Sequence, residues 1–348
     1  MAKKVFGNKG GSYHKWFPTD QPMLRIANAG ASRLILQKNG FALPRYSDSS
    51  KAAYILQGSG SAGIVFPEQK EKVISVKKGD AIILPYGVIS WWYNEASTPL
   101  MVLFLGETSK AHSPGEFTDF LLSGKNGIFS GLSIEFASRA WGLEENMAET
   151  ILENQSGSNI VKLNQGTVMP KPRKLDRQGI VINCLESKPD VDVKNGGRVV
   201  NFNTKNLPLA KEVGFGGDLV SLDKNAMCSP GYSSDSAYQV THIVRGRGRA
   251  QVVGMDGKRV LEIEVKAGYL LVIPRFYVVS KIAGDEGLQW FSIVTSPSPV
   301  FNQLGGSNSV WKALSPQVIE ASFNVSSDVE KLLRLKRNDV QIFFPPPI

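Results

Sequence analysis

Two stretches of this 348-residue chain repeat one pattern: GFALPRYSDSSKAAYILQGSGSAGIVFP, starting at Gly40, and AMCSPGYSSDSAYQVTHIVRGRGRAQVV, starting at Ala226. Each reads Pro, one residue, Tyr, a Ser- and Asp-rich turn, an apolar run, a Gly-x-Gly turn and a second apolar run. Gly58 is separated from Gly246, Gly79 from Gly268 and Pro85 from Pro274 by intervals that agree to within a single position. Farther on, GLSIEFASRAWGL from Gly131 is matched by ALSPQVIEASFNV from Ala313, and the interval from Ser133 to Ser315 is the same as that from Trp141 to Phe323. Register held over so many landmarks means that one unit of about half the chain has been duplicated. Solenoid repeats are far shorter, roughly 20 to 50 residues. The length suits two cores, at roughly 150 residues per domain.

Within each unit, short β-branched and aromatic runs are broken by Gly, Pro, Asn and Ser. They fall at 32–37, 53–57, 63–66, 81–84 and 100–105, and again at 219–222, 239–244, 249–253, 260–265, 270–273 and 290–295. Such spacing predicts two antiparallel β-barrels. Leu143, Met147 and Ile151 recur at helical spacing, as do apolar residues over 329–335, so a helix should close each unit. We therefore expect a first barrel with its helical extension over 1–154, a polar linker with loose strands over 155–194, and a second barrel with its extension over 195–348.

Charge and cysteine content narrow the function classes. The net charge is +9, from 40 Lys and Arg against 31 Asp and Glu, but the basic residues are scattered in small groups with no aromatic-interleaved stripe, so no nucleic-acid partner is expected. No apolar run approaches the ~18 residues of a membrane span, and the first residues lack the apolar core of a secretory signal, so no membrane partner is expected either. Cys184 and Cys228 form no CxxC pair and have no histidine at ligand spacing, which fits a reducing, cytoplasmic setting and indicates no cofactor. GRGRA at 246–250 precedes a strand rather than a helix N-terminus, so it reads as a β-turn and not a phosphate cradle.

The stretch GDAIILPYGVISWWYN, from Gly79 to Asn94, resembles the second signature motif of the cupin superfamily, with Ser90 where that motif has a metal-binding histidine. Residues 90, 92 and 94 share one strand face, which in metal cupins points into the barrel. Counting back from Gly58, the first motif falls on LPRYSDSSK, where Arg45, Tyr46 and Lys51 lie near ligand positions and no histidine occurs. The second unit offers Tyr232, Ser234 and Gln239, then Val279 and Ala283. Ser, Val and Ala do not replace imidazole and carboxylate as donors, so no metal site is expected. What remains is a polar barrel mouth in each unit that could hold a small molecule: Arg45, Tyr46, Tyr54, Ser90, Trp92 and Asn94 in the first, and Tyr232, Gln239, Thr241 and Lys281 in the second. Trp92 is expected to fill the first barrel, with Trp91 and Tyr93 turned toward another sheet layer or a neighbouring subunit.

Over nearly its whole length the chain is similar to legumin-type seed globulins, and more narrowly to their shorter legumin-like or glutelin type-D-like relatives. LPRY, LQGSG, LPYGVISWWYN, VKNGG, SPGYSSDSA, IVRGRGRAQVV, and WKALSP followed by SFNV carry the likeness. It implies an all-β fold of tandem cupin jelly rolls, each followed by a short helical extension. It also implies a metal-free nutrient-reservoir or structural oligomer, with self as the partner in homotrimers that pair into hexamers. The alternative is a binding protein or cofactor-independent enzyme using the mouth of the first barrel. Storage legumins are secreted, cut at an Asn-Gly pair in an acidic loop and held by a disulfide. Here Gly197 and Arg198 follow Asn195-Gly196 and the long acidic insertions are missing, which implies an unprocessed, reduced relative.

Overall fold

Side chains alternate across a strand, so a run of β-branched residues buried on one face only must pair into a sheet that covers that face. This happens twice. The computed structural model describes residues 1–157 and 159–347. They divide into a unit of Ala2–Leu185 with Leu207–Val213, and a unit of Met1, Glu186–Asn206 and the chain from Gly214 onward.

In the first unit, the elements are β1 (Lys3–Asn8), β2 (Gly11–Lys15), α1 (Met23–Ile26), β3 (Ala29–Leu36), β4 (Gly40–Ser47), β5 (Ser50–Gln57), β6 (Ser59–Val65), β7 (Lys72–Lys77), β8 (Asp80–Leu84), β9 (Ile89–Asn94), β10 (Leu100–Glu107) and β11 (Asp119–Leu121). After them come α2 (Ile134–Trp141), α3 (Glu145–Glu153), β12 (Ile160–Lys162) and β13 (Val181–Asn183), and later α4 (Leu209–Val213). One sheet runs β1-β2-β3-β10-β5-β8-β13 and the other β11-β4-β9-β6-β7, with β12 on β4. Their inner faces share one core built from Leu34, Ile55, Ile64, Ile74, Ile82, Trp92, Val102 and Phe104. β12 and β13 are thus not loose: each adds an antiparallel strand to a barrel sheet.

The second unit contains β14 (Val191–Val193), β15 (Gly197–Phe202), β16 (Gly216–Leu222), β17 (Met227–Cys228), β18 (Gly231–Ser233), β19 (Gln239–Val253), β20 (Arg259–Lys266), β21 (Leu270–Ile273), β22 (Val278–Val294), β23 (Phe301–Gln303), α5 (Val310–Ala313), α6 (Pro316–Phe323), α7 (Ser327–Leu335) and β24 (Phe343–Phe344). The runs expected at 239–244 and 249–253 are one strand, and 290–295 is the end of a 17-residue strand. β19 and β22 pair from Gln239 opposite Val294 through to Val253 opposite Val278. The GRGRA segment is therefore not a turn but a bulge inside β19, with the register slipping on both sides of Gly246.

Gly246 has φ +78° and its counterpart Gly58 has φ +79°. A Cβ on Gly246 would lie 2.1 Å from the carbonyl oxygen of Gly287, and one on Gly58 2.5 Å from that of Pro99. Both steric demands exclude any other residue, so the same kink between layers survives in both copies.

The helices obey the repeat to the residue. α2 and α6 keep one offset at both ends, and α3 and α7 keep that same offset. Ser133 and Ser315 precede the first pair, while Gly142 (φ +62°) and Asn324 (φ +51°) end it in the left-handed conformation. Phe129 packs on Trp141 with ring centroids 4.9 Å apart, and Trp311 packs on Phe323 at 5.6 Å, so the aromatic pair is kept with its members exchanged. Leu143 lies ahead of α3, and Met147 faces solvent while Ala148 is the buried residue. Among the described residues no helix is long and apolar enough to cross a membrane.

One position breaks the symmetry. Gly87 turns the chain at φ +74°, but at the matching place in the second copy Phe276 holds φ +62° with its ring exposed. A left-handed non-glycine residue costs roughly 1–2 kcal/mol, partly offset by glycine's extra unfolded-state entropy. Phe276→Gly should therefore raise unfolding stability by about 1 kcal/mol in urea titrations, with the m-value unchanged.

Candidate functional site

β9 places Ser90, Trp92 and Asn94 on its inward face, opposite Arg45, Ala42 and Gly40 of β4. Trp92 is almost fully buried and meets Phe104 edge-on, with centroids 5.6 Å apart. This pair plugs the barrel. The space left among Tyr13, Arg45, Tyr46, Lys51, Ser90 and Trp92 is about 30 Å³, enough for one or two waters and far below the several hundred Å³ of an organic ligand site. The interior behind the first barrel mouth therefore has no room for an organic ligand, although a groove of about 240 Å³ adjoins it beside Tyr13, Lys15, Arg45 and Asp119.

The remaining first-barrel candidates have structural work. Asn94 is fully buried and builds its own turn: Nδ2 donates to the carbonyls of Leu36 and Thr98, both at 3.0 Å, and Oδ1 accepts from the Ala96 N–H. Tyr54 lies on the opposite strand face from the core residues Ala53 and Ile55, and burial drives its hydroxyl far above the usual tyrosine range. Arg45 donates Nε to the Leu43 carbonyl at 3.1 Å and a terminal nitrogen to that of Asn159 at 2.6 Å, so its fork is not free for an anion. Tyr46 stacks on Phe120 at 5.0 Å. Trp91 and Tyr93 do point outward, but this chain's own Phe41, Leu163 and Met169 cover them rather than another sheet or subunit, and Trp91 Nε1 donates to Glu71.

The charged centre of the first barrel is a residue pair. Lys51 Nζ contacts Asp119 Oδ1 at 2.7 Å and lies 4.5 Å from the centroid of the Phe117 ring. Tyr13 donates to Ser32 Oγ at 2.9 Å and reaches Asp119 Oδ2 at 3.3 Å. Burial alone would raise the Asp119 carboxyl, but Lys51, Arg45 and Lys15 bring it down to about 2. Burial also lowers Lys51 and raises Tyr13. Lys51 was visible near a motif position. Asp119 lies far along the chain from it and has no local signal.

The second barrel differs at matching positions. In the register of the repeat, Lys281 takes the place of Trp92 and Ser292 that of Phe104. Two large rings are replaced by a cation and a hydroxyl, and a cavity of about 240 Å³ results, lined by Asp218, Cys228, Gln239, Val279, Lys281 and Trp290 among others. Lys281 is 3% exposed, with its ammonium 4.4 Å from the centroid of the Trp290 ring. Thr241 is spent on Ser292, oxygen to oxygen at 2.9 Å, and Tyr232 accepts from Asn302 Nδ2 away from the cavity. Of the second-barrel candidates, Gln239 and Lys281 are brought together; Asp218 was missed because nothing in GGDLV marks an inward acid. Cys228 Sγ accepts the Lys281 N–H at 3.1 Å.

Neither barrel fits a metal ion. Ser90 and Val279 stand at the positions where cupin metal ligands would be, and among the described residues no three His, Cys, Asp or Glu side chains are grouped to hold one. His14 contacts Ser12 Oγ, His112 contacts Asp48, and His242 is buried in β19, so the histidines do not converge.

The family model described as Cupin matches residues 1–149 and 182–331, one match per barrel. A 12S seed storage globulin of Avena sativa is 25% identical over 430 residues, covering 95% of this chain and 83% of the relative. Glutelin type-D 1 of Oryza sativa is 26% identical over 398 residues, covering 93% of this chain and 82% of the relative. Among solved structures, the coconut allergen cocosin superposes with a TM-score of 0.89 at 26% identity, covering 99% of this chain and 98% of its own.

The Lys51–Asp119 pair sets an acid limit. A carboxyl near 2 when folded and near 3.9 when unfolded contributes about 2 kcal/mol, fully present above pH ~4 and lost as pH falls toward 2. Asp119→Asn should lower stability at pH 7 by about 3 kcal/mol, since it leaves Lys51 buried without its counter-charge. Denaturant titrations from pH 7 to 2 should show that deficit shrinking only below pH 4.

Proposed function

Because this chain belongs to the cupin family, as a two-barrel member of the legumin type, we propose that it serves as a reserve and structural protein assembled from copies of itself. The observation that carries this reading is full-length likeness: the matched relatives named as storage globulin and glutelin run the length of both barrels and both helical arms. The role needs no catalysis, and the interior of the first barrel, plugged by Trp92 and Phe104, offers no room for it.

Assembly fits the helical arms. On α2 and α3, Phe136, Trp141 and Met147 are exposed, and on α6 and α7 so are Phe323, Val329, Leu332 and Leu335. Apolar side chains standing together on two equivalent arms mark contact surfaces. A head-to-tail contact of one arm with the other closes into a ring, here a trimer, and pairing of two rings gives a hexamer.

We place the protein uncleaved in the cytosol. Asn195-Gly196 sits in the tight hairpin between β14 and β15, where Val193 pairs with Gly197 and Asn195 is left-handed at φ +60°. A protease must extend several residues through its active site, and this turn gives it little free chain.

Sedimentation at micromolar concentration should give a trimer or hexamer, and Phe136→Asp with Leu332→Asp should give monomers of unchanged circular dichroism; a monomeric parent protein would overturn the assembly. Immunoblots of the source plant should show a single uncleaved band of the same mobility with or without reductant, accumulating in maturing seed and vanishing on germination. A constant trace level would overturn the reserve role.

A further inference from the structure

Two opposite charges line the second-barrel cavity, close enough to act on each other but not joined in an ion pair. Among the described residues the Lys281 ammonium has no hydrogen bond or ion pair; it lies over the face of Trp290, with Cys228 and Asp218 near enough to act on it electrostatically. Asp218 keeps one carboxylate oxygen, Oδ1, buried and without a hydrogen-bond partner, while Ser292 serves the other side of the group. Buried charges left this way are expensive in a folded protein, and they persist where something else completes them. Apolar and aromatic side chains, Val220, Val279, Trp290 and Phe343 among them, make much of the rest of the wall, with polar groups from Asn201, Ser229, Gln239 and Gln303 between them. The first barrel supplies the contrast, because there Lys51 has Asp119 and the two rings leave no room.

We propose that the second barrel binds a small organic acid that also carries a hydrogen-bond donor, an α-hydroxy or α-amino acid with an apolar side chain, its carboxylate on Lys281 and its donor on Asp218. The cavity of about 240 Å³ takes a molecule of roughly ten non-hydrogen atoms. The carboxylate gains a charge-assisted hydrogen bond where water is scarce. The hydroxyl or ammonium fills the open lone pairs of Asp218 Oδ1. The buried Gln239 amide in the same wall can serve either group, and the side chain lies against Trp290 and Phe343. Burial lowers Lys281 and raises Asp218 to about 6, yet at neutral pH Asp218 remains ionised and ready to accept.

Isothermal titration and saturation-transfer NMR on the intact assembled protein would use four probes: 3-phenyllactate, phenylalanine, 3-phenylpropionate, which lacks the donor, and 2-phenylethanol, which lacks the acid. Phenyllactate or phenylalanine should bind once per subunit. The two truncated probes should each bind at least tenfold more weakly, the loss expected for one hydrogen bond to a charged group. Lys281→Met should weaken binding of the bifunctional acid at least tenfold while raising the melting temperature, which shows that the variant folds. Lys281→Trp, which restores the first barrel's plug, should abolish it. The proposal is overturned if neither bifunctional acid binds at millimolar concentration, if Lys281→Met binds as well as the parent, or if 3-phenylpropionate matches phenyllactate.

Discussion

A closed β-barrel of this size leaves an interior that must be either filled or chemically satisfied, and the rest of this protein follows from how each copy meets that demand. In the first barrel Trp92 and Phe104 fill it. A buried ring pair contributes several kcal/mol through area alone, at roughly 25 cal/mol per Å², with an edge-to-face term of about 1 kcal/mol besides. The one buried cation, Lys51, is then met at short range by Asp119 and by the Phe117 face. In the second barrel the same two positions carry Lys281 and Ser292, so volume is given up and charge is introduced. The barrels share a backbone and differ in the chemistry of their interiors.

The parts of the fold that local physics dictates were legible in the sequence. Gly58 and Gly246 are required by a backbone that admits no Cβ, and their spacing marked the duplication. The single helix expected at the end of each unit left out α2 and α6, whose ends are marked locally by Ser133, which caps α2, and by the left-handed Gly142 and Asn324. Strand parity turned Trp92 inward. Parity set Asn94 on the same face, but a residue at a strand end answers to the turn: its side chain satisfies three backbone groups that the departing chain would orphan, and is not offered to a ligand. Tyr54 failed for a different reason. Its strand is buried on both faces, so polarity and periodicity give no clue to which face lines the barrel.

What stayed hidden was long-range partnership. Arg45 looked free because the carbonyl it serves belongs to Asn159, far along the chain. Lys51 looked like a displaced metal ligand because Asp119 comes from β11, a three-residue strand with no strand signal of its own. The same blindness covered β1 and β2, whose basic, glycine-bearing sequence suggests no sheet, though pairing in register with β3 makes one.

Duplication explains which positions could change. A residue whose backbone or cap is fixed by sterics survives in both copies, as the two glycines and the helix ends do. A residue that only fills volume can change if its neighbour compensates: the Phe129–Trp141 pair becomes Trp311–Phe323, with the same two rings exchanged. At Trp92 and Phe104 compensation is partial: Trp290 stands where the first copy has Val102, and its ring meets Lys281. Their replacements shrink together, and Asp218 and Lys281 feel each other's charge without closing into an ion pair. Packing only partly recovered, with two buried charges left unpaired, is not what drift under selection for stability alone produces, because repacking with apolar residues would be more stable. The pattern fits an interior held open in one copy and closed in the other.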